Sequence, residues 1–337
     1  MPLHLRRTQK AMAKFIGVST WTINSLVKEE RLAARSSFLK PQLNEEQKLA
    51  RMLWIAGQVV EPHQATRRFE SFYDRIFIDE KWFYKEPNRK RYYLLPQEEI
   101  PHRPTPNKKH VDKILFLVAV ARPRTLPNGT YWDGKIGAWS FSEMVAAKRN
   151  SRNRPAGALE LKGVSATREA FREIFINFLL PAIVALCPVE MLNKPIYIQQ
   201  DNATPHLVAG DEEWEEAVEA IGQGQLQIFI DNQPAKSPDL NILDLGYFAA
   251  MQARQWALSP ANNLLQLRDQ VPQVFQDMPT DLLARVVLTM LHTMKAIVLD
   301  VGGNDYKLPH CNKYGSLLHQ GAYPDTIQAP MTITSFI

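Results

Sequence analysis

An unbroken run of apolar residues at positions 114–121 constrains the fold more than any other feature of this sequence. Such a run is typical of a strand that is buried on both faces, so its sheet must be covered on both sides. The run is the longest of its kind in the chain, and a membrane-spanning helix requires ~20 such residues. The sequence therefore predicts a central buried strand and no transmembrane segment.

Other segments with strand or helix patterns surround this run. Aromatic and β-branched residues mark the strands, and apolar residues at helical spacing mark the helices. In chain order the predicted elements are strands at 75–85, 91–95 and 113–122, a helix at 166–186, a strand at 195–203, a helix at 211–221, a strand at 226–232, a helix from about 237, and a helical region at 261–300. This order predicts an α/β fold, a mixed sheet flanked by helices.

Positive charge is concentrated in two parts of the chain. The sequence contains 40 Lys and Arg against 35 Asp and Glu, a formal net charge of +5. Residues 1–60 contain ten basic and four acidic residues, and residues 81–154 contain sixteen basic and six acidic residues. These blocks predict a polyanionic partner, most simply nucleic acid, while a solvated basic surface is an equal alternative.

The two cysteines, Cys187 and Cys311, are far apart in the sequence. Neither lies in a CxxC or Cys/His spacing, which argues against a zinc site and indicates a reducing compartment. The first residues lack the apolar stretch of a secretory signal.

The first thirty residues have the pattern of a helix-turn-helix. A helix over residues 9–16 is followed by a break at Gly17 and by a second helix over about 20–30. A small residue, Ala13, and an apolar residue, Ile23, stand where two crossing helices would touch. The second helix would read DNA, and the alternative is an ordinary helical hairpin. Its candidate contacts to bases and phosphates are Thr20, Trp21, Thr22, Asn24, Ser25, Lys28 and Arg31.

Three aspartates stand out by their positions in the predicted elements. Asp79 interrupts a hydrophobic strand, Asp201 follows the end of a later strand, and Asp244 lies in the first turns of a helix. Asp239 is the natural N-cap candidate of that helix, which leaves Asp244 without a capping role. Clustered carboxylates favour Mg²⁺ or Mn²⁺, and two such ions can assist an in-line phosphoryl displacement. For each aspartate taken singly, a cap or a salt bridge is the alternative.

The side chains near these aspartates have simpler interpretations. Glu80 is expected on the opposite face of its strand from the first aspartate, in a structural role. His206 is expected to be a hydrogen-bonded structural histidine, with a contact to a phosphate or carboxylate as the alternative. Trp82 and Phe83 are expected in the core or in a wall, while a base-stacking role stays open for Trp82 or Trp139.

Three sequence blocks resemble the catalytic blocks of mariner-like transposases, most closely the plant and oomycete variety. They are IDEKWFY at 78–84, QQDNATPH at 199–206 and SPDLNILDLGYF at 237–248. Further segments that agree are LKPQLNEEQKLAR at 39–51, VARPR at 120–124, DGKIG at 133–137, SRNRPAG at 151–157 and GGNDYKLPHCNK at 302–313. The resemblance therefore covers nearly the whole chain.

The resemblance implies a ribonuclease H-like catalytic domain preceded by a small all-α helix-turn-helix region. It implies that Asp79, Asp201 and Asp244 bind two Mg²⁺ or Mn²⁺ ions, and it excludes Asp239. It also implies cut-and-paste transposition by a homodimer on double-stranded DNA, with cleavage at inverted-repeat ends and strand transfer into a TA target, and hence a nuclear location. The alternatives are a non-catalytic DNA-binding protein derived from a transposase and a cytosolic metal-dependent hydrolase.

The sequence departs from the family pattern at two places, and it agrees with the family at residues 123–165, where the family carries a clamp-like insertion. Only one complete helix-turn-helix fits where the family has two, so the region is expected to be shortened, with its first supporting helix compressed or missing. The spacing between Asp201 and Asp244 is slightly long. Residues 123–165 are expected to be a basic insertion, whose Arg149, Arg152 and Arg154 would hold DNA or a partner subunit.

These expectations divide the chain into five parts. They are a helix-turn-helix region at 1–36, a linker and connector helix at 37–70, a catalytic domain at 71–260 with its insertion at 123–165, a helical part of the same domain at 261–324, and a tail at 325–337.

Overall fold

The computed structural model describes residues 1–33, 40–60, 67–86, 97–99, 111–150, 154–258, 260–307 and 323–336. The chain forms two units, Met1–Gln42 and Leu43–Ile337.

Two short helices joined by a glycine turn form the amino-terminal unit. They are α1 (Gln9–Ile16) and α2 (Thr20–Lys28), and both lie where the sequence predicts them. Gly17 ends α1 in the left-handed conformation (φ 79°), which glycine adopts at no steric cost. Ala13 and Ile23 are buried. A four-residue 3₁₀ helix, Leu3–Arg6, stands in the place of the expected supporting helix.

Within the described residues, the second unit begins with one helix and nine strands, and two further strands then lie among the remaining helices. Its strands are β1 (Val59–Val60), β2 (Arg68–Phe69), β3 (Arg75–Tyr84), β4 (Lys113–Ala121), β5 (Arg124–Thr125), β6 (Tyr131–Trp132), β7 (Lys135–Ser140), β8 (Ser142–Ala146), β9 (Leu159–Gly163), β10 (Ile196–Gln200) and β11 (Ile228–Asn232). Its helices are α3 (Glu45–Ala56), α4 (Arg168–Ile174), α5 (Leu180–Leu186), α6 (Val189–Leu192), α7 (Glu212–Gly222), α8 (Phe248–Ala257), α9 (Leu264–Gln276) and α10 (Leu282–Leu299). A π-helical turn, Phe175–Leu179, links α4 to α5.

Five strands form the main sheet in the order β11-β10-β3-β4-β7. β3 pairs antiparallel with β4, which pairs antiparallel with β7, while β10 runs parallel to both β3 and β11. Every residue of β4 after Lys113 is buried, as the apolar run predicts. The mixed sheet predicted from the sequence is therefore present, with β3 at its centre.

The third strand of the antiparallel group β3-β4-β7 differs from the sequence prediction. It is β7, which lies inside residues 123–165, the stretch expected to be an insertion; the predicted strand at 91–95 lies outside the described residues. Prolines and glycines around β7 interrupt the apolar pattern from which a strand is predicted. After β7 the chain forms an antiparallel hairpin of β8 and β9.

Alternating side chains of the sheet face two separate apolar cores. Phe77 and Phe83 of β3 belong to the core covered by α3 and α8–α10. Ile76 and Ile78 belong to the opposite core, which is covered by α4, α5 and α7. Glu80, which lies between Asp79 and Lys81, points to the second of these sides, as its position in the strand predicts.

One core helix, α10, has the length and composition of a membrane span. Polar residues interrupt its apolar stretches, so it contains no unbroken apolar run as long as that of β4. Its 18 residues have a mean hydropathy of 1.7, and 67% of them are buried inside the protein. Burial of this extent is what a core helix of a folded domain shows.

The start of α7 is held by one charged residue. Asp211 is the N-cap of α7 and accepts a hydrogen bond from the Trp214 amide. The Arg172 guanidinium donates to both Asp211 oxygens at 3.0 and 2.8 Å, and this pairing lowers the pKa of Asp211. Glu213 pairs with the same arginine at 2.9 Å from an exposed position.

We expect Asp211→Asn to lower the free energy of unfolding by about 1.5–3 kcal/mol at neutral pH, because asparagine keeps the cap and loses the charged pair. The pKa of Asp211 is depressed in the folded protein, so its contribution is present above the unfolded pKa and is lost as the pH falls. Urea denaturation at several pH values should show the two proteins converging in acid. The control, Glu213→Gln, should cost less than about 1 kcal/mol; an equal cost would contradict this account.

Candidate active site

Two of the three predicted aspartates lie on or directly after neighbouring parallel strands. Asp79 is in β3, and Asp201 directly follows β10. Gln199 of β10 is paired with Phe77 of β3, and both strands run in the same direction. Continuing this register by two residues places Asp201 beside Asp79 at the carboxyl end of β10, where ligand sites of α/β sheets gather.

A buried asparagine holds the turn that carries the third aspartate next to this region. Asp244 lies in a π-helical turn, Leu243–Tyr247, that leads into α8. Asn241 is fully buried; its side-chain amide donates to the Ile78 carbonyl at 3.0 Å, and its oxygen accepts from the Leu243 amide at 3.0 Å. The asparagine thus fastens the start of the Asp244 turn to the residue that precedes Asp79.

Asp239 has a different role from the N-cap expected for it. It lies in a 3₁₀ turn, Pro238–Leu240, and Arg51 of α3 donates to its two oxygens at 2.8 Å each. Tyr306 also donates to this carboxylate. Asp239 thus pairs with Arg51 and does not act as the N-cap, while the Leu243 amide at the start of the Asp244 turn donates to the Asn241 side chain.

The site electrostatics show that Asp79 and Asp244 interact directly. Burial, followed by the charge of Asp244, raises the pKa of Asp79 to about 9. Burial also raises the pKa of Asp244, against a hydrogen bond from Asp79 and the positive charge of Lys81. Repulsion between two adjacent negative charges, added to burial, favours protonation of this pair.

The pKa of Asp201 is shifted in the opposite direction. His206 is buried, and its Nδ1 lies 3.0 Å from Asp201 Oδ1. Its Nε2 lies 3.1 Å from the Glu80 carboxylate. Burial lowers the pKa of His206, but the hydrogen bonds with Asp201 and Glu80 raise it to about 10, and the hydrogen bond from His206 lowers the pKa of Asp201. The histidine therefore contacts carboxylates, and sequence reasoning missed its link to Glu80.

The candidate ligand atoms of Asp79, Asp201 and Asp244 are all carboxylate oxygens. Within the described part of the chain, no group of three or more His, Cys, Asp or Glu side chains already has the arrangement of a metal site. The carboxylate chemistry nevertheless suits a hard divalent cation, whose charge would compensate that of Asp79 and Asp244.

The aromatic residues near the site divide between core and surface. Phe83 is fully buried, as expected, whereas Trp82 is 40% exposed and has the Lys113 ammonium 4.0 Å above its ring. Trp139 is half-buried and packs against the second core. A stacking role for either tryptophan stays a prediction.

The predicted DNA-reading residues lie on and just after α2. Trp21 is 76% exposed. Thr20, Lys28 and Arg31 are exposed as well, whereas Thr22, Asn24 and Ser25 are half-buried. Local contacts occupy three of them: Thr22 bonds with Ser19, Ser25 donates to Glu29, and Arg31 lies 3.9 Å from Glu29. Their role in DNA binding stays a prediction.

The predicted basic residues of the 123–165 stretch have different surroundings. Arg149 is exposed, Arg154 pairs with Glu160 of β9, and Arg152 lies outside the described residues. The ion pair with Glu160 indicates that Arg154 stabilises the hairpin of β8 and β9. A contact of Arg154 with DNA or a partner subunit stays a prediction.

The solved structures similar to this chain include the Mos1 transposase paired-end complex with left transposon end, and the Mos1 mariner paired-end complexes with Mn and with Mg. Each is 18% identical, covers 89% of this chain and 76% of the other chain, and gives TM-scores of 0.55, 0.56 and 0.55. No protein-family model and no curated protein matches the chain. The chain has a ribonuclease H-like fold. The predicted fold class, with a flanked mixed sheet and helices at the amino terminus, is confirmed.

We expect Asn241→Ala to reduce the free energy of unfolding by about 2–4 kcal/mol, because it leaves the Ile78 carbonyl and the Leu243 amide without their buried partner. Urea denaturation followed by circular dichroism measures the change. The control, Asn128→Ala, removes a comparable bond in an exposed turn and should cost less than about 1 kcal/mol. Equal losses in the two variants would contradict the anchoring role of Asn241.

Proposed function

We propose that this protein is a DNA transposase of the mariner-like type, close to the plant and oomycete variety, that cleaves and joins DNA strands with divalent cations. The observation that carries the proposal is the carboxylate arrangement. Asp79 lies in β3, Asp201 directly follows the parallel neighbouring strand β10, and Asp244 contacts Asp79 from the turn before α8. The Mos1 complexes, which share this fold and contain Mn or Mg, support the choice.

Asp79, Asp201 and Asp244 are the residues that would hold two Mg²⁺ or Mn²⁺ ions. When bound, such ions activate the attacking oxygen and stabilise the leaving oxygen of a phosphodiester. The protein's own contribution is to place the ligands. β3 and β10 set the level of Asp79 and Asp201, and Asn241 sets the start of the Asp244 turn.

The same residues control where protons reside. Burial raises the pKa of Asp79 and of Asp244, so a proton bound at this pair would have to leave when a cation binds. The hydrogen bond from His206 lowers the pKa of Asp201, which favours its charged form as a ligand. Lys81, on the Asp79 side of β3, places positive charge near Asp244, where a DNA phosphate would approach.

The DNA partner would be bound by two parts of the chain. The helix α2 would read the inverted repeats through Thr20, Trp21, Thr22, Asn24 and Ser25, with Lys28 and Arg31 on the phosphates. The residues Arg149, Arg152 and Arg154 would hold DNA or the second subunit of a homodimer. Strand transfer would favour a TA step, which deforms easily, and the substrate implies a nuclear location.

A transposase-derived protein that binds DNA without cleaving it is the alternative. The direct contact between Asp79 and Asp244 favours the catalytic form, because a buried carboxyl pair is costly to maintain in a purely structural role. A cleavage assay on an inverted-repeat end with Mg²⁺ separates the two, since binding without nicking would favour the alternative.

We expect Asp79→Asn, Asp201→Asn and Asp244→Asn each to reduce Mg²⁺-dependent nicking of an inverted-repeat end to the metal-free background, because each removes a charged ligand. Circular dichroism and thermal melting should show that the fold is retained. The control is Asp269→Asn, an exposed aspartate paired with its neighbour Arg268, and it should nick at the wild-type rate. Full cleavage by any of the first three variants would refute the assignment.

Neutralising Lys28 and Arg31 together with glutamine should weaken DNA binding and flatten its salt dependence. The slope of log K against log salt should fall by about 2, because each residue is predicted to neutralise one phosphate. Fluorescence anisotropy over a salt series measures this slope. Lys194→Gln with Arg254→Gln removes the same charge from exposed positions elsewhere, and an identical change in that control would argue against a specific contact by α2.

A further inference from the structure

The loop after β10 closes around a histidine with a carboxylate on each side. His206 is 3% exposed, with its Nδ1 3.0 Å from Asp201 Oδ1 and its Nε2 3.1 Å from Glu80. Glu80 lies on the other face of β3 from Asp79. The contacts of His206 therefore run from the site aspartate that follows β10 to the far side of the central strand.

The orientation of the imidazole ring is set by its packing. The ring lies 4.7 Å from the Phe171 ring in an edge contact within the second core. The His206 amide donates to the Ala203 carbonyl at 3.0 Å, and the next residue, Leu207, accepts from the Gln200 side chain at 2.6 Å. With backbone and ring both held, the Nδ1 atom faces Asp201, whose backbone carbonyl lies 3.1 Å away and whose Oδ1 lies 3.0 Å away.

These contacts differentiate the two oxygens of Asp201. Oδ1 receives the Ala203 amide at 2.8 Å as well as the His206 ring. Oδ2 accepts no hydrogen bond from any described residue. An Asp201 carboxylate fixed in this way presents one free oxygen in a defined direction, which is what a cation ligand requires.

The geometry points to His206 as a positioning residue that orients Asp201 for cation binding, with Glu80 holding the far side of the ring. This inference rests on the proposed function, because it assigns Asp201 to a cation. It predicts that the contact at Nδ1 controls cation affinity, whereas a histidine that only fills the core would affect stability alone.

Two amide substitutions at His206 test the contacts of its two ring nitrogens separately. The asparagine in His206→Asn places its amide near the Nδ1 position and can still contact Asp201, while the glutamine in His206→Gln reaches the Nε2 position and contacts Glu80 only. Mn²⁺ binding to the full-length protein, followed by the electron paramagnetic resonance signal of free Mn²⁺, should weaken about 10–100-fold for glutamine. For asparagine it should weaken less than about threefold. Glu80→Gln should fall between them, and His292→Gln and Glu216→Gln should match the wild type.

Equal Mn²⁺ affinity of His206→Gln and the wild type, or equal losses in the two His206 variants, would overturn the inference while leaving the proposed function intact. If the wild type binds no Mn²⁺, or Asp79→Asn binds it equally well, the proposed function fails and the inference fails with it.

A measurement on the wild-type protein tests the inference even if the variants do not fold. In ¹⁵N-histidine spectra, saturating Mg²⁺ should shift the His206 ring resonances and leave those of His292 in place; unshifted His206 resonances would overturn the inference.

Discussion

A fully buried guanidinium organises the elements that carry the candidate site. Arg51 of α3 has no exposed surface, and an unpaired charge at such a place would be strongly destabilising. It is satisfied by Asp239, by the Ser237 hydroxyl, and by the carbonyls of Gly302 and Gly303. One side chain thereby ties α3, the loop before the Asp244 turn, and the segment after α10 together.

The segment after α10 can make these contacts only because of glycine. Gly302 has a φ of +79°, and a Cβ atom there would lie 2.2 Å from the Lys48 carbonyl. Any side chain would push the segment away from α3, and the Gly302 carbonyl would lose its bond to Arg51. Close packing against α3 therefore explains the glycine at position 302. This residue belongs to the GGNDYKLPHCNK segment, which carries part of the family resemblance.

From Asp239 a series of interior polar contacts leads to the aspartates. Gln199 of β10 donates to the Leu240 carbonyl at 2.8 Å, and Asn241 donates to Ile78 of β3 at 3.0 Å. Each link joins the loop that carries Asp239 to one of the two strands that position Asp79 and Asp201. Buried polar networks of this kind specify one arrangement, because every broken bond leaves a desolvated group without a partner. The loop and the strands that carry the site are therefore joined by side-chain amides that bond to backbone carbonyls.

The sequence by itself determined the strands β3, β4, β10 and β11, the helix-turn-helix pattern, and the position of three aspartates at the ends or centres of elements. These features depend on periodicity and composition, which act locally. Only the tertiary structure decided that β7 is the third strand, that Asp239 pairs with Arg51, and that His206 bridges Asp201 and Glu80. The partners in these contacts are far apart in the chain, and burial makes their pairing necessary only after the sheet and its two cores have formed.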